Sequence, residues 1–444
     1  MNTPIVDFVL HYAKSGISRM HMPGHKGEDF LGFEKYDITE INGADVLSSA
    51  DGIISESENN ASALFKTAHS FYSAGGSTLA IYAMVSLVCR GNKNPLIIAA
   101  RNVHKAFVHA CALVGCDVEW LMPEKFVNLC SCIISAEIVD EAIKNSKGTP
   151  CAVYLTSPDY LGQLQDIQKI AKICKKHNIP LIVDNAHGAY LEFLEETQHP
   201  IALGATMCCD SAHKTLPALT GASYLHIAKD APDKFLKNAR SELAVFSSTS
   251  PSYLILQSLD ALNKYLDEDF SDELFECIKR IDKIKTLIIE YGFTILESEP
   301  LKIVINAPPS GYTGFELADL LRKGKIEAEY YDRDFIVLML SPQNSEKDFK
   351  RLEKVFSLLP QKKPLPSTEI SELHQPTVKM TIRDAVFADS ELIDTENALG
   401  RICAAPTVLC PPAIPPIISG EEITESEIAT LKQFNINKIR VVRL

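Results

Sequence analysis

The sequence lacks any apolar stretch near the roughly 18 residues that a membrane span requires, and the opening MNTPIVDFVLHYAKSG has no basic segment leading into an apolar core. It also lacks an excess of basic residues, because 44 Lys and Arg stand against 57 Asp and Glu, a formal net charge of −13. We therefore expect neither a membrane partner nor a nucleic-acid partner, since nucleic-acid binding needs a basic face. No internal repeat or low-complexity tract is present.

The twelve cysteines are scattered and lack metal-ligand spacing. Cys130 and Cys132 form a CxC pair, but no second pair lies at the distance that a zinc site needs, so no metal site is predicted. Scattered thiols without a secretory signal indicate a reduced protein of the cytoplasm.

The chain does have the periodicity of an α/β protein. It contains 444 residues, of which 46% are apolar and 23% are charged, as in soluble globular chains. From about residue 75, short apolar runs alternate with helical patterns of ten or more residues, which predicts βαβ units and a mostly parallel sheet. The predicted strands are 95–100, 117–121, 151–157, 180–185, 206–211 and 221–227.

Composition and pattern predict four regions. Residues 1–60 are polar and irregular and are expected to form an N-terminal arm. Residues 61–290 form the large domain, and 291–360 form a smaller α+β domain with the order strand, strand, helix, strand, strand, helix. The proline-rich PQKKPLPST then leads into a short C-terminal domain, 361–444.

A lysine and an acid follow two of the predicted strands. Asp184 lies near the end of the strand PLIVDN, and Lys214 comes after the strand TMCCDS. In doubly wound sheets, ligands bind beyond the carboxyl ends of the strands. Pyridoxal-5'-phosphate (PLP) chemistry needs a lysine for a Schiff base and an acid at the pyridine nitrogen. The pair therefore predicts a PLP site, although either residue alone could be a solvated cap.

Other segments could complete that site. Gly76, Ser77 and Thr78 open a helix, where backbone N–H groups and hydroxyls suit a phosphate, and Ser211 is a further donor. His104 follows a strand and could stack on a flat ring. The hydroxyl-rich turn with Thr249 and Ser250 could also donate to a phosphate, although ordinary helix capping explains such turns as well.

These segments, in this order, resemble the Orn/Lys/Arg decarboxylase family, the basic amino acid decarboxylases of PLP fold type I. The resemblance covers nearly the whole chain, in a compact form without an N-terminal wing domain. The matching stretches are HMPGHKG (21–27), DGIISESE (51–58), GGST (75–78), RNVHKAF (101–107), TSPDYLG (156–162), VDNAHGAY (183–190), SAHKTLPALTG (211–221), STSPSYLILQSLD (248–260) and CPPAIPPIISGEE (410–422).

The resemblance implies an aspartate aminotransferase-like fold and a role for each residue. Lys214 would carry PLP, Asp184 would pair with its ring nitrogen and His104 would stack on the ring. His187 would lie near the cofactor, and His213 would take part in proton transfer or contact the substrate carboxylate. Gly76, Ser77, Thr78 and Ser211 would hold the phosphate. The family works as homodimers or larger assemblies, so Thr249 and Ser250 could reach a neighbouring subunit.

The expected reaction is α-decarboxylation of lysine, arginine or ornithine to a polyamine-type amine and CO2. Several positions depart from the family pattern: AGGST replaces a turn like NGTS, Asn185 replaces the glutamate of DEAHG, Ala106 replaces serine, and the lysine loop reads TLPALTG. These departures leave two alternatives open. One is another PLP reaction such as transamination or β-elimination, and the other is a PLP-binding protein without catalysis.

Overall fold

The computed structural model describes residues 1–123, 128–368, 375–406 and 414–443. In this part of the chain the α-helices are α1 (Pro4–Lys14), α2 (Ile53–Leu64), α3 (Gly76–Cys89), α4 (Lys105–Val114), α5 (Ala136–Asn145), α6 (Ile167–Lys176), α7 (Ala212–Thr215), α8 (Asp233–Phe246), α9 (Tyr253–Glu268), α10 (Phe270–Glu290), α11 (Gly314–Lys323), α12 (Glu346–Ser357), α13 (Ile382–Phe387) and α14 (Glu425–Gln433). The strands are β1 (His69–Ser73), β2 (Leu96–Ala100), β3 (Asp117–Leu121), β4 (Ala152–Thr156), β5 (Leu181–Asp184), β6 (Met207–Asp210), β7 (Ser223–Ile227), β8 (Thr294–Leu296), β9 (Lys302–Asn306), β10 (Tyr330–Tyr331), β11 (Phe335–Met339), β12 (Ser390–Asp394) and β13 (Lys438–Val442).

The largest sheet in the described residues has seven strands in the order β1-β7-β6-β5-β4-β2-β3. β5 and β6 pair in parallel, whereas β7 is antiparallel to both of its neighbours, β1 and β6. Parallel strands end at the same edge of a sheet, so the segments after β5 and β6 leave from one side. This mostly parallel sheet with its connecting helices confirms the predicted α/β class.

By its internal contacts the chain divides into two compact units, the first of which comprises residues 1–97, 143–155 and 166–271. Its helix α3 is apolar around most of its circumference, which is typical of a helix covered on several sides. Ile81, Met84, Val85 and Leu87 are all buried. This buried helix begins at the glycine turn that was predicted to bind phosphate.

The N-terminal arm differs from its prediction, because residues 1–60 were expected to be irregular. The structure forms α1 there, with Ile5 and Val9 completely buried. The backbone N–H groups of Ile5 and Val6, in the first turn of α1, each donate to Asp260 Oδ2 on α9 at 2.9 Å. A helix start is usually read from a nearby polar cap. Here Asp260 accepts these hydrogen bonds from far along the sequence. Thr3 before Pro4, with Asp7 in the first turn, was also a local signal of a helix start that the sequence analysis did not use.

Strand β1 was missed for a related reason. Its sequence, HSFYS, is mostly polar, yet four of its five residues are buried. The hydroxyl of Ser70 lies 2.8 Å from Nδ1 of His226 on the paired strand β7. A strand whose polar side chains find partners inside the protein does not present an apolar run.

The second unit comprises residues 98–142, 156–165 and 272–444. A four-stranded sheet, β10-β11-β9-β8, and the helices α11 and α12 follow the predicted order of strands and helices. Nearer the C-terminus, β12 and β13 pair antiparallel over a small apolar core, part of which is formed by Cys403, Ile423 and Leu431. Within proline-rich 410–416, residues 410–413 lie outside the described residues. The domain boundaries given above stay a prediction.

A completely buried ion pair joins two distant parts of the second unit. Arg101 donates from Nη1 and Nη2 to the two carboxylate oxygens of Glu421, at 2.5 and 2.7 Å. The guanidinium also lies 4.9 Å from the centre of the Trp120 ring, and its Nε donates to the carbonyl of Pro415 at 3.2 Å. Arg101 begins the RNVHK stretch, so the C-terminal residues fix the segment that leads to His104.

No disulfide joins the cysteines in the described part of the chain, and all of these cysteines except Cys151 are buried. Among the described residues, none of the helices combines the length and the apolar character needed to cross a membrane.

Candidate active site

Two segments of the first unit meet beyond the carboxyl ends of β5 and β6. Asp184 is the last residue of β5, and it pairs in register with Cys209 of β6. The short helix α7, which follows β6, carries Lys214. Lys214 Nζ lies 3.1 Å from Nε2 of His187, three residues after Asp184. The structure thus brings together two stretches that the sequence analysis assigned to one site.

Asp184 is buried, with 3% of its surface exposed. Its carboxylate accepts hydrogen bonds from the hydroxyl of Tyr154 at 3.3 Å and from the N–H of Ala186 at 3.1 Å, and the thiol of Cys209 lies at 3.6 Å. A buried carboxylate needs such donors to stay in place. Lys214, by contrast, is an exposed residue.

The predicted phosphate turn lies at the start of α3. Gly76 has a φ of +72°, which favours glycine, and a Cβ added there would meet no atom within 4 Å. The Ser211 hydroxyl donates to the Ser77 hydroxyl at 2.9 Å, so two predicted phosphate ligands are neighbours. Thr78 follows in the first turn of the helix. Open space, two hydroxyls and a helix N-terminus are the features that bind a phosphate.

The two other predicted histidines have distinct surroundings. His213 Nδ1 lies 2.9 Å from the carbonyl of Ala222. A carbonyl can only accept, so Nδ1 carries the proton and Nε2 is the acceptor nitrogen of the neutral ring. His104 belongs to the second unit, where it caps α4 and its Nδ1 accepts from the N–H of Ala106 at 3.2 Å. Its predicted stacking on a cofactor stays a prediction.

Thr249 and Ser250 are exposed and line a cavity of about 130 Å³ within the first unit. Gly75, which precedes the phosphate turn, and Arg240 line the same cavity. The hydroxyl-rich turn therefore lies near the glycine turn of its own chain. Its predicted reach to a second subunit stays a prediction.

Sequence reasoning missed a buried polar network directly beneath these segments. Asp210, the residue before Ser211, accepts hydrogen bonds from Asn185 at 2.7 Å, from His199 at 3.0 Å and from His226 at 3.2 Å. All four residues of this network are completely buried. Burial opposes ionisation, but the neighbouring His199 and His226 outweigh it and lower the pKa of the Asp210 carboxyl. The acid at the end of an apolar strand was the one available signal.

The residues present fit PLP. A lysine amine, a buried carboxylate on the neighbouring strand end, and hydroxyls at a helix N-terminus are the donor set that this cofactor requires. On a mostly parallel sheet, they define a PLP-dependent enzyme of fold type I.

Comparison with known proteins gives the particular family. A family model described as the Orn/Lys/Arg decarboxylase major domain matches residues 3–308. The chain belongs to the Orn/Lys/Arg decarboxylase family and is an amino acid decarboxylase.

Relatives and solved structures agree along nearly the full length. The arginine decarboxylase of Halalkalibacterium halodurans is 31% identical over 98% of this chain and 93% of its own. The arginine decarboxylase of Bacillus subtilis is 30% identical over 96% and 92%. The lysine decarboxylase LdcF of Francisella novicida superimposes with a TM-score of 0.84 over 99% of this chain and 81% of its own, at 18% identity, which supports the fold alone.

Proposed function

We propose that this protein catalyses the PLP-dependent α-decarboxylation of a basic amino acid, with arginine as the preferred substrate over lysine and ornithine. The observation that carries the proposal is the contact of 3.1 Å between Lys214 Nζ and His187 Nε2, which joins the predicted cofactor lysine to the strand end of Asp184. Arginine is placed first because the relatives named arginine decarboxylase align over almost the entire chain.

Each site residue has a part in the proposed reaction. Bound PLP supplies an electron sink for the bond that breaks at Cα. Lys214 would hold the cofactor through Nζ, with His187 Nε2 as its hydrogen-bond partner. The Asp184 carboxylate would keep the ring nitrogen protonated, and its donors Tyr154 and Ala186 hold it in position.

The remaining residues would orient the phosphate and move a proton. Ser77, Thr78 and Ser211 would bind the phosphate at the start of α3, and His104 would stack on the ring. His213 Nδ1 is held by the carbonyl of Ala222, which orients Nε2 as the atom that takes up or delivers the proton at Cα.

Three finer points belong to the same proposal. The product is a polyamine-type amine, agmatine in the case of arginine. The enzyme assembles as a homodimer or a larger homo-oligomer, and it works in the cytoplasm. These three points rest on the family resemblance.

The test is to load the purified protein with PLP and to incubate it separately with arginine, lysine and ornithine. We expect release of CO2 with a matching amount of amine, fastest with arginine. Lys214→Ala should abolish the absorbance of the covalently bound cofactor and lower the rate by roughly 10²- to 10⁴-fold, because it removes the anchor and a proton-transfer group. Lys172→Ala, an exposed lysine on α6 of the same unit, is the matched control and should retain both.

Other outcomes would decide between the alternatives. Formation of keto acids would favour transamination. Bound PLP without turnover of any amino acid would favour a binding protein. Persistence of the covalent absorbance in Lys214→Ala would show that another lysine holds the cofactor, and the site assignment would be wrong.

A further inference from the structure

The strands β5 and β6 stay joined for one residue beyond their last in-register pair. Asp184 pairs with Cys209, and the N–H of Asn185 donates to the Cys209 carbonyl at 3.0 Å. The Asn185 side-chain amide then donates to Asp210 Oδ1 at 2.7 Å. Beyond this point, the segment after β5 continues to His187 and the segment after β6 continues to Lys214. The Asn185–Asp210 bond is therefore the tie at the point where the two site segments separate.

The other oxygen of Asp210 is held equally firmly. His199 Nε2 and His226 Nε2 donate to Oδ2 at 3.0 and 3.2 Å. The far side of His226 is fixed in turn, because its Nδ1 lies 2.8 Å from the Ser70 hydroxyl. A completely buried carboxylate with N–H donors on both oxygens is a stable anion.

The Asn185–Asp210 pair carries a single negative charge. The residue directly after Asp184 is the neutral Asn185. The structure places an acid on the neighbouring strand instead, at Asp210. Two carboxylates at these positions would face each other at hydrogen-bond distance inside the protein, which is strongly unfavourable.

We propose that Asn185 and Asp210 form a singly charged clamp that sets the spacing between the Asp184–His187 segment and the Ser211–Lys214 segment. Both are positioning residues. They act on the cofactor through Asp184 and Ser211, their neighbours in the chain, and through Lys214, which lies four residues after Asp210. This role rests on the proposed PLP site but does not depend on which amino acid is decarboxylated.

A metal ion is the competing explanation for these residues. Cys208 Sγ lies 3.9 Å from His199 Nε2, and with Asp210 the three side chains are close enough to share an ion. However, Asp210 already has hydrogen-bond donors on both of its oxygens. Elemental analysis of the purified protein separates the two: we expect no stoichiometric zinc, and one zinc per chain would overturn the clamp.

The clamp is tested by exchanging the two side chains. Asn and Asp have the same shape, so Asn185→Asp adds a charge and Asp210→Asn removes one without changing volume. We expect each single variant to weaken PLP binding about tenfold or more, because buried pairs are sensitive to loss of their partner. The double variant Asn185→Asp/Asp210→Asn restores one charge. In it the new asparagine can donate to the new carboxylate and still accept from both histidines.

The double variant should therefore recover PLP affinity to within about threefold of the original, which is a strongly non-additive result. Affinity is measured by titrating the PLP-free protein and following cofactor absorbance, so the readout is independent of turnover. Ser70→Ala is the matched control, since it breaks the same network at its far end. We expect it to lower the unfolding temperature while PLP affinity is retained.

If the losses of PLP affinity in the two single variants simply add in the double variant, the clamp is contradicted. Failure of the double variant to fold would also contradict it, because the double variant keeps the shape and the charge of the original pair. Normal PLP affinity in both single variants would also contradict it. If Lys214→Ala shows the PLP site to be elsewhere, the proposed function fails first, and the two failures are thereby distinguished.

Discussion

Asp159 is a buried acid of the second unit. It is 2% exposed and accepts hydrogen bonds from the Ser131 hydroxyl at 2.5 Å and the Gln163 N–H at 2.9 Å. Lys302 Nζ donates to the backbone carbonyl of Asp159 at 3.1 Å and lies 3.6 Å from Glu299. Burial therefore outweighs these donors and raises the pKa of Asp159 to about 6.

This shift predicts a pH dependence of stability. The folded carboxyl keeps its proton up to about pH 6, whereas in the unfolded chain it ionises near its ordinary pKa of about 4. Between these values the unfolded state releases the proton first, so the free energy of unfolding falls as pH rises. The loss from this group is about 1–3 kcal/mol in total.

Asp159→Asn carries no such proton. We therefore expect the original protein to lose stability relative to this variant as the pH rises from about 4 to about 7. Urea unfolding of both proteins at several pH values measures this difference in the free energy of unfolding. A difference that stays constant with pH would show that Asp159 ionises normally in the folded state.

Single residues could be singled out from the sequence where their signal is local. Asp184 lies at the end of one apolar strand and Lys214 follows another, and strand ends are where α/β proteins bind ligands. The roles of these two residues toward PLP stay a prediction. Asp210 also ends a strand, but its role depends on His199 and His226. Those histidines approach it only in the folded chain, and nothing in the spacing of the three residues indicates their contact.

At the scale of elements, the Arg101–Glu421 pair connects the end of β2 with the C-terminal residues before α14. Both side chains are 2% exposed, and the paired charges satisfy each other. Removing one partner of a buried pair leaves the other charge uncompensated.

Glu421→Ala is therefore expected to lower the free energy of unfolding by about 3–5 kcal/mol. The next residue provides a matched control, because Glu422 forms a partly exposed pair with Lys379 at 3.3 Å. Glu422→Ala should cost no more than about 1 kcal/mol. Chemical unfolding followed by circular dichroism measures both. Equal losses in the two variants would contradict the structural importance of the Arg101 pair.

Elements were predicted best where burial follows the apolar pattern. Strands β2 to β7 appear within a residue or two of their expected bounds, because short buried strands show up as apolar runs in the sequence. Helix α1 and strand β1 were missed. Their stability depends on Asp260 and His226, which are remote in sequence and supply partners for their polar groups.

For the whole molecule, the alternation of strands and helices was sufficient to predict the α/β class. It could not give the position of β7, which runs antiparallel to its neighbours, since a short apolar run does not encode direction. The second unit shows the same limit, because the contact of Arg101 with Glu421 joins residues 320 positions apart.

The cysteines have a practical consequence at this scale. They occur in both units, and burial raises the pKa of the Cys174 and Cys403 thiols to about 12. The thiolate is the form that attacks an alkylating reagent, so these residues should react only when the surrounding structure opens.

The buried thiols can therefore be used to detect local unfolding. Brief exposure to iodoacetamide at increasing urea concentrations, followed by mass spectrometry of the peptides, would record where the chain first loosens. The neighbouring Cys89 and burial also raise the pKa of Cys151. Because Cys151 is only partly buried, we expect it to be modified at lower urea concentrations than Cys208 or Cys209 of the central sheet. The order in which the remaining thiols become modified would then show in which order the regions of the enzyme unfold.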